Sequence, residues 1–433
     1  MVAKIIRWRY ERSEFGGGRT MANIKPFKAV RPANEYVNMV AELPYDVMNR
    51  EEAKKIAKDN KYSYLHIDRA EIDLDDNVNE NDEQVYLKAK ENLDKFMKKN
   101  VFVKDDKDAI YIYREIVNDR AQTGIVACVA IDDNINGIVK KHEYTKPDKE
   151  LDRTNHIKYC NANTGTVLLT YKNQEEIEKI IDYYVYFMTP IYDFKTDDDV
   201  IHTIWKVEKE RDINDLVNEF AKVGSLYIAD GHHRCAAAEN IALEERRKNP
   251  NYTGEEEFNY YTAMIAPHTD LKVMDYNRVI KDLNGFTEDE FLNKIKEKFI
   301  VKEAKKNYKP TIKGQVGMYL NNKWYEIEFG KEYLQDRDVV ETLDISILQN
   351  HILDEILGIK NPRTDERIDF IGGIRGAKEI ERRVDDGMKV GFLMYPTNIE
   401  ELISVADENK IMPAKSTWFE PKVRCGLFLH ELN

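Results

Sequence analysis

The chain carries SLYIADGHHRCAAA at residues 225–238, where a strand pattern and a helix pattern meet across a polar turn. The apolar start, Leu226 to Ala229, has the composition of a short buried strand, and the alanine-rich run after Arg234 favours a helix. Between them, Asp230 and Gly231 interrupt the apolar pattern. The sequence therefore predicts a strand that turns directly into a helix.

The turn itself holds an acid, a glycine, two imidazoles and a guanidinium. A helix N-terminus exposes unpaired N–H groups and the positive end of the helix dipole, so it favours an anion. Gly231 would let a ligand approach the backbone, and His232, His233 and Arg234 would add donors for phosphate oxygens. Asp230 could hold Mg²⁺ or orient a histidine. The simpler alternative is a polar helix start whose side chains face water.

The composition limits the classes of protein that need consideration. At 433 residues, with 42% hydrophobic and 10% aromatic residues, the chain is long and apolar enough for two or three globular domains. No apolar run approaches the roughly 20 residues that span a bilayer, so we expect no membrane association. The net charge of −13 disfavours nucleic acid as a partner.

The number and spacing of the cysteines indicate the cellular compartment of the protein. Four of them lie far apart without the spacing of a zinc site: Cys128, Cys160, Cys235 and Cys425. We expect reduced thiols, which are typical of a cytoplasmic protein, and the first residues lack the apolar core of a secretory signal. The sequence leaves open whether the protein is a monomer or a homodimer.

Strands and helices alternate along the chain, which predicts a mixed α/β (α+β) fold. Residues 1–20 have no periodic pattern and include three successive glycines. We interpret them as a mis-started or disordered extension, with translation beginning at Met21. The remainder is predicted to form an N-terminal α/β region at 21–135, a core at 136–270 that contains the turn, and a C-terminal α/β region at 271–433.

Several elements are specific enough to check. An amphipathic helix is predicted at 82–99, and two paired strands are predicted at 109–115 and 124–131. Short apolar runs at Tyr64–Ile67 and Val423–Leu429 are predicted as further strands.

Four stretches resemble a widespread prokaryotic family of uncharacterised proteins of about this length. They are LPYDVM at 43–48, HEYTKPDKELDR at 142–153, YIADGHHRCAAA at 227–238 and MPAKSTWFEPK at 412–422. The turn also resembles the phosphate-binding box of the ParB/sulfiredoxin superfamily, which includes free serine kinases that phosphorylate L-serine from ADP or ATP. The resemblance implies a ParB/sulfiredoxin-like nucleotide-binding core with additional N- and C-terminal regions.

The resemblance also implies roles for individual residues. Contacts with the nucleotide phosphates are implied for Gly231, His232, His233 and Arg234. Asp230 would bind Mg²⁺ and, with His233, belong to the catalytic set. Glu143, which matches a His-Glu segment of the serine kinases, would be the general base. A small amino-acid acceptor also needs groups for its carboxylate, and the candidates are Arg153, Lys415 and Ser416.

Differences between this sequence and the superfamily patterns disfavour some of the functions found in the superfamily. His232 stands where sulfiredoxin has a cysteine, which disfavours sulfinic-acid reduction, and no helix-turn-helix follows the turn as it does in ParB. Adjacent histidines point to different sides of an element, so His232 and His233 are a poor pair for one metal. We predict an ADP- or ATP-dependent kinase of a small hydroxyl-bearing metabolite such as free L-serine. The alternatives are a non-catalytic nucleotide-binding switch and a structural protein without a ligand.

Overall fold

A mixed sheet of nine strands, here named the central sheet, forms the largest element of the protein. The computed structural model describes residues 21–306 and 308–433, so the extension predicted at residues 1–20 lies outside the described residues. In spatial order the strands are Val139–Lys140, Leu226–Asp230, Val167–Tyr171, Tyr260–Pro267, Arg120–Ala130, Ile110–Val117, Ile201–Val207 and Tyr192–Lys195, with Ile24–Lys25 beside Arg120–Ala130. The predicted mixed α/β fold is confirmed.

The middle of the central sheet is apolar on both faces. Strands Val167–Tyr171 and Tyr260–Pro267 are buried at every position and run parallel to each other. A sheet covered on both faces needs continuous apolar strands, and these two segments have that composition. Strands from both sides of the boundary predicted between residues 135 and 136 belong to this one sheet. Local sequence patterns do not show which strands pair over long distances, so they could not reveal this.

A long hairpin supports one side of the central sheet. Strands Ile110–Val117 and Arg120–Ala130 pair in antiparallel register up to Val117 and Arg120. The two residues between them, Asn118 and Asp119, have φ angles of 49° and 61°, as a tight two-residue hairpin turn requires. The predicted pair of strands is thus confirmed.

Helices cover the sheets and connect their strands. The predicted amphipathic helix is confirmed as Glu83–Lys98, which buries Val85, Ala89, Leu93 and Phe96. The other α-helices in the described part of the chain are Val37–Val40, Arg50–Ala57, Leu65–Asp68, Ile131–Ile135, Pro147–Cys160, Glu175–Phe187, Glu210–Phe220, His232–Lys248, Glu288–Lys296, Lys331–Leu334, Asp344–Leu348, Gly376–Asp385 and Ile399–Asp407. Short 3₁₀ turns span Tyr45–Val47, Ala70–Asp73, Glu257–Asn259, His268–Asp270 and Gly373–Arg375, and a π-helix spans Gln349–Asp354.

A second, antiparallel sheet of six strands belongs to the C-terminal region. In spatial order its strands are Ile300–Ala304, Lys323–Glu328, Gln315–Leu320, Val390–Leu393, Tyr276–Ile280 and Ile368–Gly372. The described residues also form three two-stranded sheets, namely Lys272–Met274 with Trp418–Glu420, Val30–Pro32 with Phe102–Lys104, and Ala162–Asn163 with His430–Glu431.

Two of the predicted strands are wrong. Tyr64–Ile67 lies at the start of the short helix Leu65–Asp68. Val423–Leu429 is an irregular segment that turns at Gly426 and has only isolated bridges at Cys425 and Leu429. Both segments are apolar because they are buried, and a short apolar run does not reveal which secondary structure buries it.

The C-terminal segment, residues 411–433, packs back onto the rest of the chain. Leu429 bridges to Val30, and the N–H of Met412 donates to the carbonyl of His142 at 2.9 Å. Within the described residues no helix is long and apolar enough to cross a membrane. All four cysteines are buried free thiols.

A buried carboxyl group lies where the central sheet meets this segment. Glu115 is fully buried and accepts hydrogen bonds from Gln122 Nε2 at 2.8 Å and from the Tyr113 hydroxyl at 3.1 Å. His202 Nδ1 lies 3.7 Å from its Oε1. Burial raises the pKa of Glu115 to about 8, although the charge of Arg424 acts in the opposite direction.

We expect this group to affect the pH dependence of stability. Between about 4.3, the ordinary pKa of glutamate, and about 8, the folded protein keeps a proton that the unfolded chain has released. The contribution of Glu115 to the free energy of unfolding should therefore fall as pH rises through that range, by at most about 1.4 kcal/mol per pH unit. Urea unfolding of wild type and Glu115→Gln should show the variant gaining relative stability as pH rises. A difference that does not depend on pH would contradict this assignment.

Candidate active site

The predicted strand, turn and helix are all present. Strand Leu226–Asp230 ends where Gly231 takes a φ of 95°, and helix His232–Lys248 begins at the next residue. A Cβ atom at Gly231 would lie 2.9 Å from Nε of Arg234, so the position needs glycine for its conformation and for its space. The turn therefore presents the N-terminus of a 17-residue helix at the end of a buried strand.

Arg234 supports the turn from inside the protein. It passes between Gly165 and Gly231, since a Cβ at either glycine would lie 2.9 Å from its side chain. Its guanidinium donates from Nη1 to the carbonyl of Thr166 and from Nη2 to Asp230 at 2.9 Å. Its Nε is buried without a hydrogen-bond partner in the described part of the chain.

Asp230 lies between two cations. Its Oδ2 accepts from Arg234, and its Oδ1 accepts from Nζ of Lys422 at 3.1 Å. Burial alone would raise the pKa of Asp230, but Lys422 and Arg234 hold it well below its ordinary value. Because both oxygens face positive charges, the Mg²⁺ site predicted at Asp230 does not fit this arrangement.

The two histidines of the turn point to different neighbours. His232 packs edge-on against His142, with 4.6 Å between the ring centroids and 84° between the ring planes. Burial lowers the pKa of each of these two imidazoles to about 3, so both are neutral near physiological pH. His233 instead accepts a hydrogen bond at Nε2 from the N–H of Lys146 at 3.0 Å.

A cleft of about 400 Å³ opens in front of the turn. Its basic side chains are Arg69, Lys146, Lys149, Arg234, Arg363 and Lys415, and its carboxylates are Asp46, Glu80, Glu143 and Asp230. Arg234 is paired with Asp230, and Arg69 Nη2 lies 3.5 Å from Glu80. The remaining basic groups give the cleft a local positive charge, although the whole chain carries −13. Such a cleft favours an anionic ligand.

Glu143 lies between this cleft and a second cavity. The second cavity has a volume of about 310 Å³ and shares Glu143, Tyr144 and His232 with the first. Its other lining includes the helix residues Cys235 and Glu239. Glu143 is therefore accessible from two sides, next to the imidazole that begins the helix.

Of the three predicted substrate groups, the structure brings only Lys415 to the cleft. Its Nζ lies 5.5 Å from the ring centroid of Tyr276. Burial acts to lower the pKa of Lys415, but Tyr276 and Glu143 raise it above its ordinary value. Ser416 is buried, and its hydroxyl donates to the carbonyl of Pro413.

Arg153 lies behind the cleft and not among its lining residues. Its guanidinium donates at 2.9 Å to Asp68 and also at 2.9 Å to Asp152. It also stacks on the ring of Tyr45 at 4.0 Å. Two carboxylates already neutralise the charge of Arg153, so it is poorly suited to bind a substrate carboxylate. Its contact with Tyr45 instead supports the wall of the cleft.

Other residues of the site were missed or left without a role by the sequence. Tyr45 and Asp46 lie in the LPYDVM stretch and line the cleft. Lys422 and His142 lie in the last and the second of the four stretches quoted above, yet nothing local links them to the turn. Only the fold brings Lys422 to Asp230, across 192 positions of sequence.

The chain matches the family described as "Protein of unknown function (DUF1015)" over residues 24–346 and belongs to that family. The predicted membership of an uncharacterised family is confirmed. The sequence matches none of the curated proteins with which it was compared.

Solved structures of low similarity include a free serine kinase in complex with AMP, with 16% identity, a TM-score of 0.36, and coverage of 71% of this chain and 93% of that chain. A mutant free serine kinase in complex with ADP has 14% identity, a TM-score of 0.37, and coverage of 71% and 94%. A conserved hypothetical protein from Pyrococcus furiosus has 15% identity, a TM-score of 0.34, and coverage of 69% and 92%. TM-scores this low do not establish a shared fold, so the ParB/sulfiredoxin-like core stays a prediction.

The packing of Gly231 against Arg234 can be tested with a matched pair of substitutions. Gly254 has the same φ of 95°, but apart from its two chain neighbours no described residue has a heavy atom within 4 Å of the position of a Cβ there. Both alanine variants carry left-handed strain of about 1–2 kcal/mol. We expect Gly231→Ala to lose at least about 1 kcal/mol more in urea unfolding than Gly254→Ala, because it also displaces Arg234. Equal losses would show that the arginine is not confined by the turn.

Proposed function

We propose that this member of the DUF1015 family is a nucleotide-dependent phosphotransferase that acts on the hydroxyl group of a small metabolite. The observation that carries the proposal is the arrangement in the cleft. A long helix begins there at a glycine turn, basic side chains surround it, and the carboxylate of Glu143 faces the same space. The cleft volume of about 400 Å³ is within the range of about 300–1,000 Å³ typical of small-molecule sites.

The donor phosphates would bind at the helix N-terminus. The first N–H groups of a helix have no partner within the helix, and the dipole adds positive potential at the same point. Lys146, Lys149 and Arg363 line the cleft and would balance the charge of the phosphates. His233 would position Lys146, because its Nε2 accepts a hydrogen bond from the backbone N–H of Lys146.

The acceptor would lie between Glu143 and Lys415. A hydroxyl group becomes a better nucleophile for phosphorus when a carboxylate accepts its proton, and Glu143 is the carboxylate that we assign to this task. Lys415 would bind an anionic group of the acceptor, such as the carboxylate of free L-serine. The proton moves from the acceptor hydroxyl to Glu143 as the oxygen–phosphorus bond forms and the nucleotide leaves.

The role of Asp230 in this proposal is electrostatic and structural. Its pairing with Lys422 and Arg234 fixes the turn that receives the phosphates. Because it does not fit a Mg²⁺ site, no catalytic step depends on a metal bound there. Positive groups that are already in place around a transferring phosphoryl group lower the activation barrier of the transfer, because the protein does not have to rearrange as the reaction occurs.

The test is turnover measured by phosphorus NMR with ADP or ATP, Mg²⁺ and a panel of amino acids and hydroxy acids. Wild type should form a phosphomonoester with one class of acceptor. Glu143→Gln should lower the rate by roughly 10²–10⁴-fold, since it removes the proton acceptor. Its dissociation constant for the nucleotide, measured by calorimetry, should stay within a few-fold of wild type.

Glu80→Gln is the matched control, because Glu80 is a second carboxylate of the same cleft that lies beside Arg69. We expect it to retain most of the activity. Nucleotide binding without any turnover would favour the non-catalytic switch. Full activity in Glu143→Gln, or no nucleotide binding at all, would contradict the proposal.

A further inference from the structure

The proposed phosphoryl transfer uses Glu143 but does not explain the two histidines that cluster with it. His142, Glu143 and His232 each offer one metal-binding atom, and these atoms all lie within 4.8 Å of one another. The first two are consecutive in sequence, and His232 comes from the start of the helix 90 residues later. The cluster is therefore built by the fold and not by a local motif.

A second observation points independently to a missing partner. Nδ1 of His142 and Nε2 of His232 are both buried and have no hydrogen-bond partner in the described part of the protein. A buried polar atom without a partner destabilises the folded protein, so native proteins usually satisfy such atoms. Two unpaired imidazole nitrogens beside a carboxylate are the donor set of a metal ion.

We propose that His142, Glu143 and His232 bind one divalent transition-metal ion of the Zn²⁺ class. Two imidazoles and one carboxylate suit Zn²⁺, Co²⁺, Mn²⁺ or Fe²⁺, whereas Mg²⁺ prefers sites built from oxygen ligands alone. Three protein ligands also leave a coordination position for water or for an oxygen of a bound molecule. The site thus differs from the Mg²⁺ site that the sequence predicted at Asp230.

The surroundings support this assignment. His142 Nε2 lies 3.2 Å from the hydroxyl oxygen of Thr417, and this contact orients the ring. Such contacts commonly fix the orientation of a metal-binding histidine. Glu143 and His232 also separate the two cavities, so the ion would lie in their shared wall beside the phosphate-binding turn.

The metal site does not depend on the proposed phosphotransferase activity. A carboxylate has two oxygens, so Glu143 can bind the ion through one and accept a proton with the other. The ion's open position would face oxygen atoms of whichever ligand enters from either cavity. Metal binding can therefore be measured with no nucleotide present.

The experiment is a titration of the untagged, chelator-treated protein with Co²⁺, followed by visible absorption, and with Zn²⁺ in competition with a chromogenic chelator. Wild type should bind one equivalent. His232→Gln and Glu143→Gln should each weaken binding by at least about 100-fold, because each removes a direct ligand. His233→Gln is the matched control, since His233 is the neighbouring histidine but lies outside the cluster, and it should bind as wild type does.

Thermal unfolding provides a second readout for variants that are less stable. Zn²⁺ should raise the melting temperature of wild type and His233→Gln, but not that of Glu143→Gln. The proposal is overturned if wild type binds no stoichiometric ion, or if the cluster variants bind as tightly as wild type. ADP calorimetry on the same chelator-treated protein tests the proposed function separately, because a protein that binds ADP but no Zn²⁺ contradicts only the metal site.

Discussion

The carboxylate of Asp230 is the point on which the rest of the site depends. It ends the strand Leu226–Asp230 and accepts hydrogen bonds from Arg234 of the following helix and from Lys422 of the C-terminal segment. Removing one partner of a buried ion pair typically costs about 3–5 kcal/mol, because the other charges lose their compensation. The pairing therefore fixes the turn, the entry of the helix and the docking of residues 411–433 at the same time.

The turn, once fixed, determines which groups can meet in the cleft. Gly231 places the helix N-terminus at the end of a buried strand, and His233 holds the backbone at Lys146. The C-terminal segment brings Lys415 to the lining of the same cleft. Segments far apart in sequence thus contribute positive charge to a single space, in a protein whose total charge is negative.

The sequence predicts what is determined locally. The strand, glycine turn and helix at 226–248 follow from composition and periodicity, as does the hairpin at Asn118 and Asp119. The anion-binding character of the turn was expected from its residues, whereas the presence of Glu143 beside it was expected from the resemblance alone. The runs at Tyr64–Ile67 and Val423–Leu429 were mispredicted because burial, and not strand pairing, explains their apolar residues.

Local sequence patterns do not reveal which side chains meet when they are far apart in the chain. Arg153 was a candidate because its cation could bind the carboxylate of a substrate. In the structure, Asp68 and Asp152 neutralise this cation behind the cleft. The contact between His142 and His232 exists only because the segment before helix Pro147–Cys160 packs against the turn. Neither partner has a feature in its own neighbourhood that predicts the other.

The most direct test of this account is a crystal structure of the protein with bound ADP. We expect the phosphates at the N-terminus of helix His232–Lys248, within hydrogen-bonding distance of its first N–H groups and close to Lys146. A nucleotide bound elsewhere, or a cleft that stays empty at saturating ADP, would contradict the assignment of this turn as a phosphate site.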